Sequence, residues 1–287
     1  MMTSQNLPLV CTRLQGVLFV TINRPASRNA LSEEVVTALE EVAHGALEDL
    51  TLRAIVLRGA KQFFCAGGNL GNFQTRLDQA TGLDDPVATR NRKFGAFMQT
   101  LAAIPVPVVS VVEGAALGGG MGLACVSDIV LATQSATFAL SETSLGVVPA
   151  QIMPFVVRRI GPARARRLGL SAERVEGDLA VGAGIVDALA TDSEELDSLL
   201  ASWLTQIGKC APNANKRMKT MVEDAQVEDI GRFMDAAAQV FSTCMQDEGK
   251  LGIAAFKARQ PAPWVVTFTT QDIRRVYQQQ GTAGALS

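Results

Sequence analysis

One histidine, His44, serves all 287 residues, and that scarcity removes whole classes of chemistry. Ser–His and Cys–His nucleophilic machinery would both depend on a residue set mid-helix in Glu40-Glu41-Val42-Ala43-His44. A zinc site built on several histidines is impossible, and no metal site is expected. The five cysteines (Cys11, Cys65, Cys125, Cys210 and Cys244) are dispersed without a C-x-x-C pair. An odd, scattered set reads as reduced thiols. Met1 to Asn6 offers no basic start leading into an apolar segment, so no secretory signal is expected and a cytoplasmic protein is. Apolar stretches such as Pro105 to Val112 and Ala180 to Ala190 are too short or too broken to span a bilayer. The formal net charge of −2, without a Lys/Arg run, gives no reason to expect a nucleic-acid partner.

What is present is a globular composition. Hydrophobic residues make up 48% of the chain and charged residues 19%, enough to bury one large core. Val17 to Asn23 reads as a strand stopped by Pro25. Ser32 followed by Glu33 and Glu34 reads as a helix start, with Leu39, Val42, Ala43 and Ala46 keeping helical spacing to about Asp49. Ala54-Ile55-Val56-Leu57 is a short continuous apolar run typical of a strand buried on both faces. This strand–helix–strand order predicts an α/β core.

Residues 73 to 86 read as mobile or irregular, and a helix is expected over Ala88 to Ala103. Pro105 and Pro107 exclude a central strand there, whereas Val108 to Val112 is free to form one. A short helix and a strand at Ile129 to Ala132 follow. Beyond about Pro154 the texture turns helical. The reading divides the chain into an α/β core, 1–205, and a C-terminal helical region, 206–287.

Two glycine-bearing segments follow apolar strands. They are Phe63-Phe64-Cys65-Ala66-Gly67-Gly68 and Glu113-Gly114-Ala115-Ala116-Leu117-Gly118-Gly119-Gly120-Met121-Gly122. Three successive glycines opening a helix leave backbone N–H groups bare enough for a ligand oxygen to approach. A second N–H, from Gly68, would complete a two-donor oxyanion hole, and losing one such donor costs about 3–4 kcal/mol of transition-state stabilisation. Tight helix–strand packing is the alternative use of such glycines. Neither segment has G-x-G-x-x-G or G-x-x-x-x-G-K-[ST] spacing, which argues against an NAD-linked enzyme or a phosphate loop.

Taken in order, these segments resemble the crotonase, or enoyl-CoA hydratase/isomerase, family. The resemblance runs from Asn23-Arg24-Pro25 and Asn29-Ala30-Leu31 through Phe64 to Gly68 and Gly118-Gly119-Gly120. It continues through Ser127-Asp128-Ile129, Ser141-Glu142 and Leu145-Gly146 to Arg159-Ile160-Gly161, with a fainter match at Glu248-Gly249 and Ala255-Phe256. It implies a crotonase-like ββα spiral core, a C-terminal trimerisation region, and a homotrimer or dimer of trimers. It implies an acyl-CoA thioester as substrate, with no cofactor beyond the coenzyme A that the substrate carries. The N–H groups of Gly68 and Gly119 would hold the thioester oxygen, and Ala66 and Gly67 would lie along the adenine side. Lys257 and Arg259 are the candidates for the coenzyme phosphates.

Hydratases of this family usually carry two glutamates, and the first position is Gly122 here. The second matches Glu142, whose apolar approach, Phe138-Ala139-Leu140, favours burial and a raised pKa. One carboxyl group suffices for double-bond isomerisation, and it also suffices to take a proton from water and return it to the α-carbon. The resemblance therefore implies a hydratase, with an isomerase or a non-catalytic acyl-CoA-binding protein as alternatives. Glu113 reads as structural. Pro149-Ala150-Gln151 is similar to hydratases acting on branched glutaconyl-CoA substrates, for which Arg28, Arg158 and Arg159 are candidate carboxylate partners. Residues 143 to 160 hold no Asp, which argues against the aspartate-nucleophile dehalogenases of the same family.

Overall fold

The computed structural model describes residues 7–68, 86–225 and 230–282. The segment read as irregular, 73 to 86, lies almost wholly outside the described residues, only Pro86 falling inside, at the start of a helix. A six-stranded sheet forms the centre, in the order β1-β2-β3-β4-β6-β9. The strands are β1 Leu9–Leu14, β2 Val17–Ile22, β3 Ala54–Gly59, β4 Val108–Val112, β6 Ile129–Thr133 and β9 Ala188–Ala190. Only the β1–β2 pair is antiparallel, a hairpin turned by Gln15 and Gly16, both at positive φ. The other neighbours run parallel.

Apolar side chains leave both faces of this sheet. Val20, Ile22, Ile55, Leu57, Val108 and Val112 join one buried cluster. Val17, Phe19, Ala54, Val56, Val109 and Val111 join another on the opposite side. This alternation explains why the strands read as unbroken apolar runs: a parallel sheet covered on both faces has no wet side. The first face is packed by α1 Glu33–Glu48, α2 Pro86–Ala102, α3 Gly119–Val126 and α4 Met153–Ser171. Ser32 caps α1, its hydroxyl accepting from the Val35 N–H at 3.3 Å. Val35, Leu39, Ala43 and Ala46 are buried at helical spacing while His44 faces solvent. α4 is kinked at Gly161-Pro162.

A second, three-stranded sheet is made by β5 Ala115–Leu117, β7 Thr137–Ala139 and β8 Val175–Glu176, in the order β5-β7-β8. After α5 Gly177–Ala183 and β9 the chain is helical. It continues through α6 Ser193–Lys209, α7 Pro212–Asp224, α8 Ile230–Cys244, α9 Lys250–Ala258 and α10 Thr270–Thr282. The expected division at 205 falls inside α6. Leu196, Leu200 and Leu204 of that helix pack with Phe268, Ile273 and Val276, so the end of the chain returns to cover the second face of the sheet.

Candidate active site

Three parallel chain segments end at one place. β5 pairs in register with β7, Leu117 opposite Ala139. The Phe64–Gly68 segment lies against β5 through a Cys65–Ala116 bridge, with Cys65 N–H donating to Ala115 O at 2.9 Å and Leu117 N–H to Cys65 O at 3.1 Å. Continuing past these pairings, the three segments deliver Gly67-Gly68, Gly118-Gly119 and Ser141-Glu142 to a common edge. Residues as far apart in sequence as 68, 119 and 142 meet because their strands do.

The two glycine turns pack against each other. A Cβ built on Gly67 would stand 3.6 Å from the Gly119 nitrogen, and one built on Gly119 would stand 3.8 Å from the Gly68 nitrogen. Gly119 opens α3, so its N–H has no helical acceptor. Neither N–H donates to a backbone carbonyl among the described residues. Gly67 has φ +92, and a side chain there would meet Leu117 O at 2.6 Å. Gly67 O accepts from Leu31 N–H at 2.8 Å, which ties the first turn to the Asn29-Ala30-Leu31 stretch. Asn29 is buried and sits at φ 55. Its amide donates to Ala60 O at 3.0 Å and to Phe63 O, and accepts from Arg24 N–H at 2.9 Å. One side chain thus holds the start of the loop that ends at Gly68.

Glu142 begins a 3-10 turn directly after β7. Its Oε1 lies 2.8 Å from where a Cβ on Gly118 would be, and Gly118, at φ +49, is the one residue type that leaves room for it. The side chain is half-buried, and its Oε2 is buried with no hydrogen-bond partner among the described residues. Desolvation by burial raises its pKa above the ordinary Glu value, against a smaller opposing effect from its own backbone N–H. A partly desolvated carboxyl group beside N–H groups without a backbone acceptor among the described residues suits proton transfer next to an oxygen that gains negative charge.

A Cβ on Gly122 would meet Ile152 Cγ2 at 2.4 Å and Met98 Cε at 3.5 Å, so apolar side chains fill the position that the resemblance assigns to a first glutamate. Leu31 Cδ1 and Phe94 Cζ approach Gly119 and form an apolar wall beside its turn. Sequence reading did not single out Leu31 for this wall, nor Phe94 and Ile152 at all; these contacts span 25 to 88 residues, and no local pattern signals them.

The remaining candidates are dispersed. Arg28 sits beside the first turn: its carbonyl accepts from Ala66 N–H at 3.0 Å, and its guanidinium lies 6.0 Å from the Phe63 ring centre. Arg159 is committed to structure, pairing with Asp187 and donating to the carbonyl oxygens of Ser127 and Ile185. Arg158 pairs with Glu223 at 2.7 Å on the surface. Lys257 and Arg259 are exposed at the C-terminal end of α9. Glu113 is buried and bound to Arg58, which agrees with a structural reading.

Residues 12–266 match the enoyl-CoA hydratase/isomerase family. Among solved structures, Pseudomonas aeruginosa AtuE is 41% identical and superposes with a TM-score of 0.87, covering 90% of this chain and all of that one. An enoyl-CoA hydratase/isomerase from Marinobacter aquaeolei is 38% identical with a TM-score of 0.85, covering 90% of this chain and 98% of that one. The 2,3-dehydroadipyl-CoA hydratase of Escherichia coli (strain K12) is 30% identical over 250 residues, 86% of this chain and 94% of that protein. The crotonase-like α/β architecture, the paired glycine turns and matches over most of the chain agree, and the chain belongs to the enoyl-CoA hydratase/isomerase family.

Proposed function

We propose that this protein hydrates an α,β-unsaturated acyl-CoA thioester with a single carboxyl group. Water oxygen bonds to the β-carbon, the C=C electron pair moves toward the thioester oxygen, and the N–H groups of Gly68 and Gly119 hold the resulting enolate oxygen. Glu142 accepts the proton that the water gives up and returns it to the α-carbon, so one group acts as base and then as acid. The observation that carries this reading is the desolvated Oε2 of Glu142, which has no hydrogen-bond partner among the described residues, beside the Gly118-Gly119 turn. A protein that only bound acyl-CoA would have no use for a carboxyl group left without a partner, because an unsatisfied buried group costs about 1–3 kcal/mol.

Isomerisation is the second reading, favoured by the apolar filling at Gly122: one carboxyl group is all that moving a double bond requires. The purified protein incubated with crotonyl-CoA, branched 2-enoyl-CoAs and a 3-enoyl-CoA separates the two. A 3-hydroxyacyl product supports hydration, and double-bond migration without any hydrated product overturns it.

The finer reading is a branched, glutaconyl-like acyl chain, supported by Pro149-Ala150-Gln151. Gln151 packs onto Gly95 of α2 and bonds Asn91 at 2.9 Å. A homotrimer, or a dimer of trimers, goes with this reading. Its support is the exposed apolar surface of the C-terminal helices, where Ile230, Met234, Phe241 and Phe256 are each more than 60% exposed. In such an assembly Lys257 and Arg259 would serve the coenzyme phosphates of a neighbouring site, with Arg28, Ala66 and Gly67 along the adenine side. The free thiols of the chain fit a cytoplasmic setting.

A further inference from the structure

Behind the glycine turns lies a buried charge cluster that the chemistry above does not use. Arg58 is the penultimate residue of β3, and Glu113 follows the last residue of β4. Each therefore stands where a loop leaves the sheet, one running to Gly68 and the other to Gly119. Arg58 Nε donates to Glu113 Oε2 at 2.8 Å, and Arg58 Nη1 to Asp197 of α6 at 2.7 Å. The second Glu113 oxygen accepts from the Ser193 hydroxyl, and that hydroxyl accepts from the Gln62 side chain at 3.0 Å. The Arg58 guanidinium also lies 4.5 Å over the Tyr277 ring. Every oxygen of Glu113 is engaged, its backbone carbonyl included, which takes the Phe64 N–H at 2.8 Å.

Such a cluster is a poor source of stability, since apolar packing of the same volume commonly does as well or better. What it supplies is fixed geometry at two loop origins. Only three backbone hydrogen bonds separate this point from the glycine turns: Phe64 to Glu113, Cys65 to Ala115 and Leu117 to Cys65. A tilt between β3 and β4 at their ends would pass along that short ladder to the two N–H groups.

We propose that the Arg58–Glu113 ion pair, held by Asp197 and Ser193, is a positioning device. It locks the origins of the two glycine loops so that the Gly68 and Gly119 N–H groups keep one common aim. This rests on the reading of those N–H groups as enolate donors. Arg58 and Glu113 touch no reacting atom; they act through the backbone. The cluster borders a cavity of about 960 Å³ lined also by Lys61, Arg274 and Gln280, so shortening a side chain here opens onto existing space and leaves the packed core alone.

The test uses acetoacetyl-CoA, whose enolate absorbs in the near ultraviolet apart from the keto form. The ratio of bound enolate to bound keto form then reports how well the donors hold an oxygen anion. For the wild type the ratio is expected to exceed that in solution at the same pH. In Glu113→Gln and Arg58→Met it is expected to fall about tenfold, with kcat falling in proportion and KM for an enoyl-CoA staying within twofold. Arg58→Lys should restore part of both. If Arg58→Met does not fold, Ser193→Ala, which frees one Glu113 oxygen and the Gln62 amide but keeps the Arg58–Glu113 pair, should lower ratio and kcat two- to threefold. A folded Glu113→Gln with an unchanged ratio overturns the positioning role, as does a kcat loss that follows the unfolded fraction while the ratio holds. A wild type that binds the probe without raising its enolate fraction overturns the functional reading, and the positioning role with it.

Discussion

Ile152 occupies the space that a side chain on Gly122 would need: its Cγ2 stands 2.4 Å and its Cβ 2.9 Å from the position of a Cβ there. A β-branched side chain at the start of α4 has few rotamers with which to withdraw. Gly122→Glu, which on paper completes a two-carboxylate pair, is therefore expected to lower stability by about 1–3 kcal/mol through overpacking and to give no gain in hydration. Combining it with Ile152→Ala should recover part of the lost melting temperature. Thermal denaturation and hydration assays of the single and double variants check this. A stable, faster Gly122→Glu enzyme would show that the apolar filling is no obstacle.

Glu142→Gln is expected to lower turnover by roughly 10²–10⁴-fold, the usual range for a general acid–base group. Affinity for an acyl-CoA should change little, since the amide keeps the shape of the carboxyl group. Steady-state kinetics beside direct titration of a saturated acyl-CoA separate the two effects. Turnover equal to that of the wild type would remove Glu142 from the chemistry.

The same substitution has a stability signature that depends on pH. Burial holds the Glu142 carboxyl above the ordinary Glu range, so the folded chain binds this proton more tightly than the unfolded chain. Stability contributed by the group is then present below the unfolded value and is lost as pH rises through the folded one. Glu142→Gln should accordingly be more stable than the wild type at neutral pH, with the advantage vanishing in acid below the usual Glu range. Denaturation curves across that window provide the measurement, and a difference that does not vary with pH would contradict it.

Gly67→Ala places a methyl 2.6 Å from Leu117 O at φ +92. The expected loss is about 1–3 kcal/mol from backbone strain, along with a fall in kcat, because the Gly67-Gly68 and Leu117-Gly118-Gly119 turns must separate to accept it. Urea denaturation and kinetics on the same preparation test both. Gly146→Ala is the comparison: φ there is also positive, at 77, but no atom lies within 4 Å of the added methyl.

Asn29→Ala removes the amide that holds Ala60 O and Phe63 O and receives the Arg24 N–H. A buried group left without its partner costs about 1–3 kcal/mol, and the loop leading to Gly68 should become susceptible to proteolysis. Limited proteolysis with mass mapping of the cleavage sites reads this directly; cuts that leave residues 59 to 68 intact would argue against it.

The central strands and the first helix were legible because their signals are local. Val108 to Val112 came out with the same limits as β4, freed by two preceding prolines, and Ser32 marked the start of α1 through its own hydroxyl. The second sheet was not legible. β5, β7 and β8 are two or three residues long, and so short a strand has no periodicity to read. β9 hid in a helical texture for the same reason. β1, carrying Cys11 and Arg13 at the edge of the sheet, mixes polar and apolar residues too freely to stand out. For the site, the placement of Glu142 in a partly desolvated setting followed from its apolar approach. The packing of Ile152 against Gly122 belongs to tertiary structure alone. A boundary at 205 falls inside α6, whose joint packing with α10 against the sheet is tertiary and leaves no local signal.

Gly68 and Gly119 would meet the substrate with peptide nitrogens, and a peptide nitrogen is present whatever side chain a codon specifies. Short of proline, which removes the N–H itself, mutation reaches such groups only by bending the chain that carries them. On the proposed reading, the part of this site that would handle negative charge is thus insulated from ordinary amino-acid exchange, whereas the part that would handle protons hangs on one replaceable side chain. Relatives that diverge in chemistry would be expected to differ first at positions such as 122 and 142, and last in the turns.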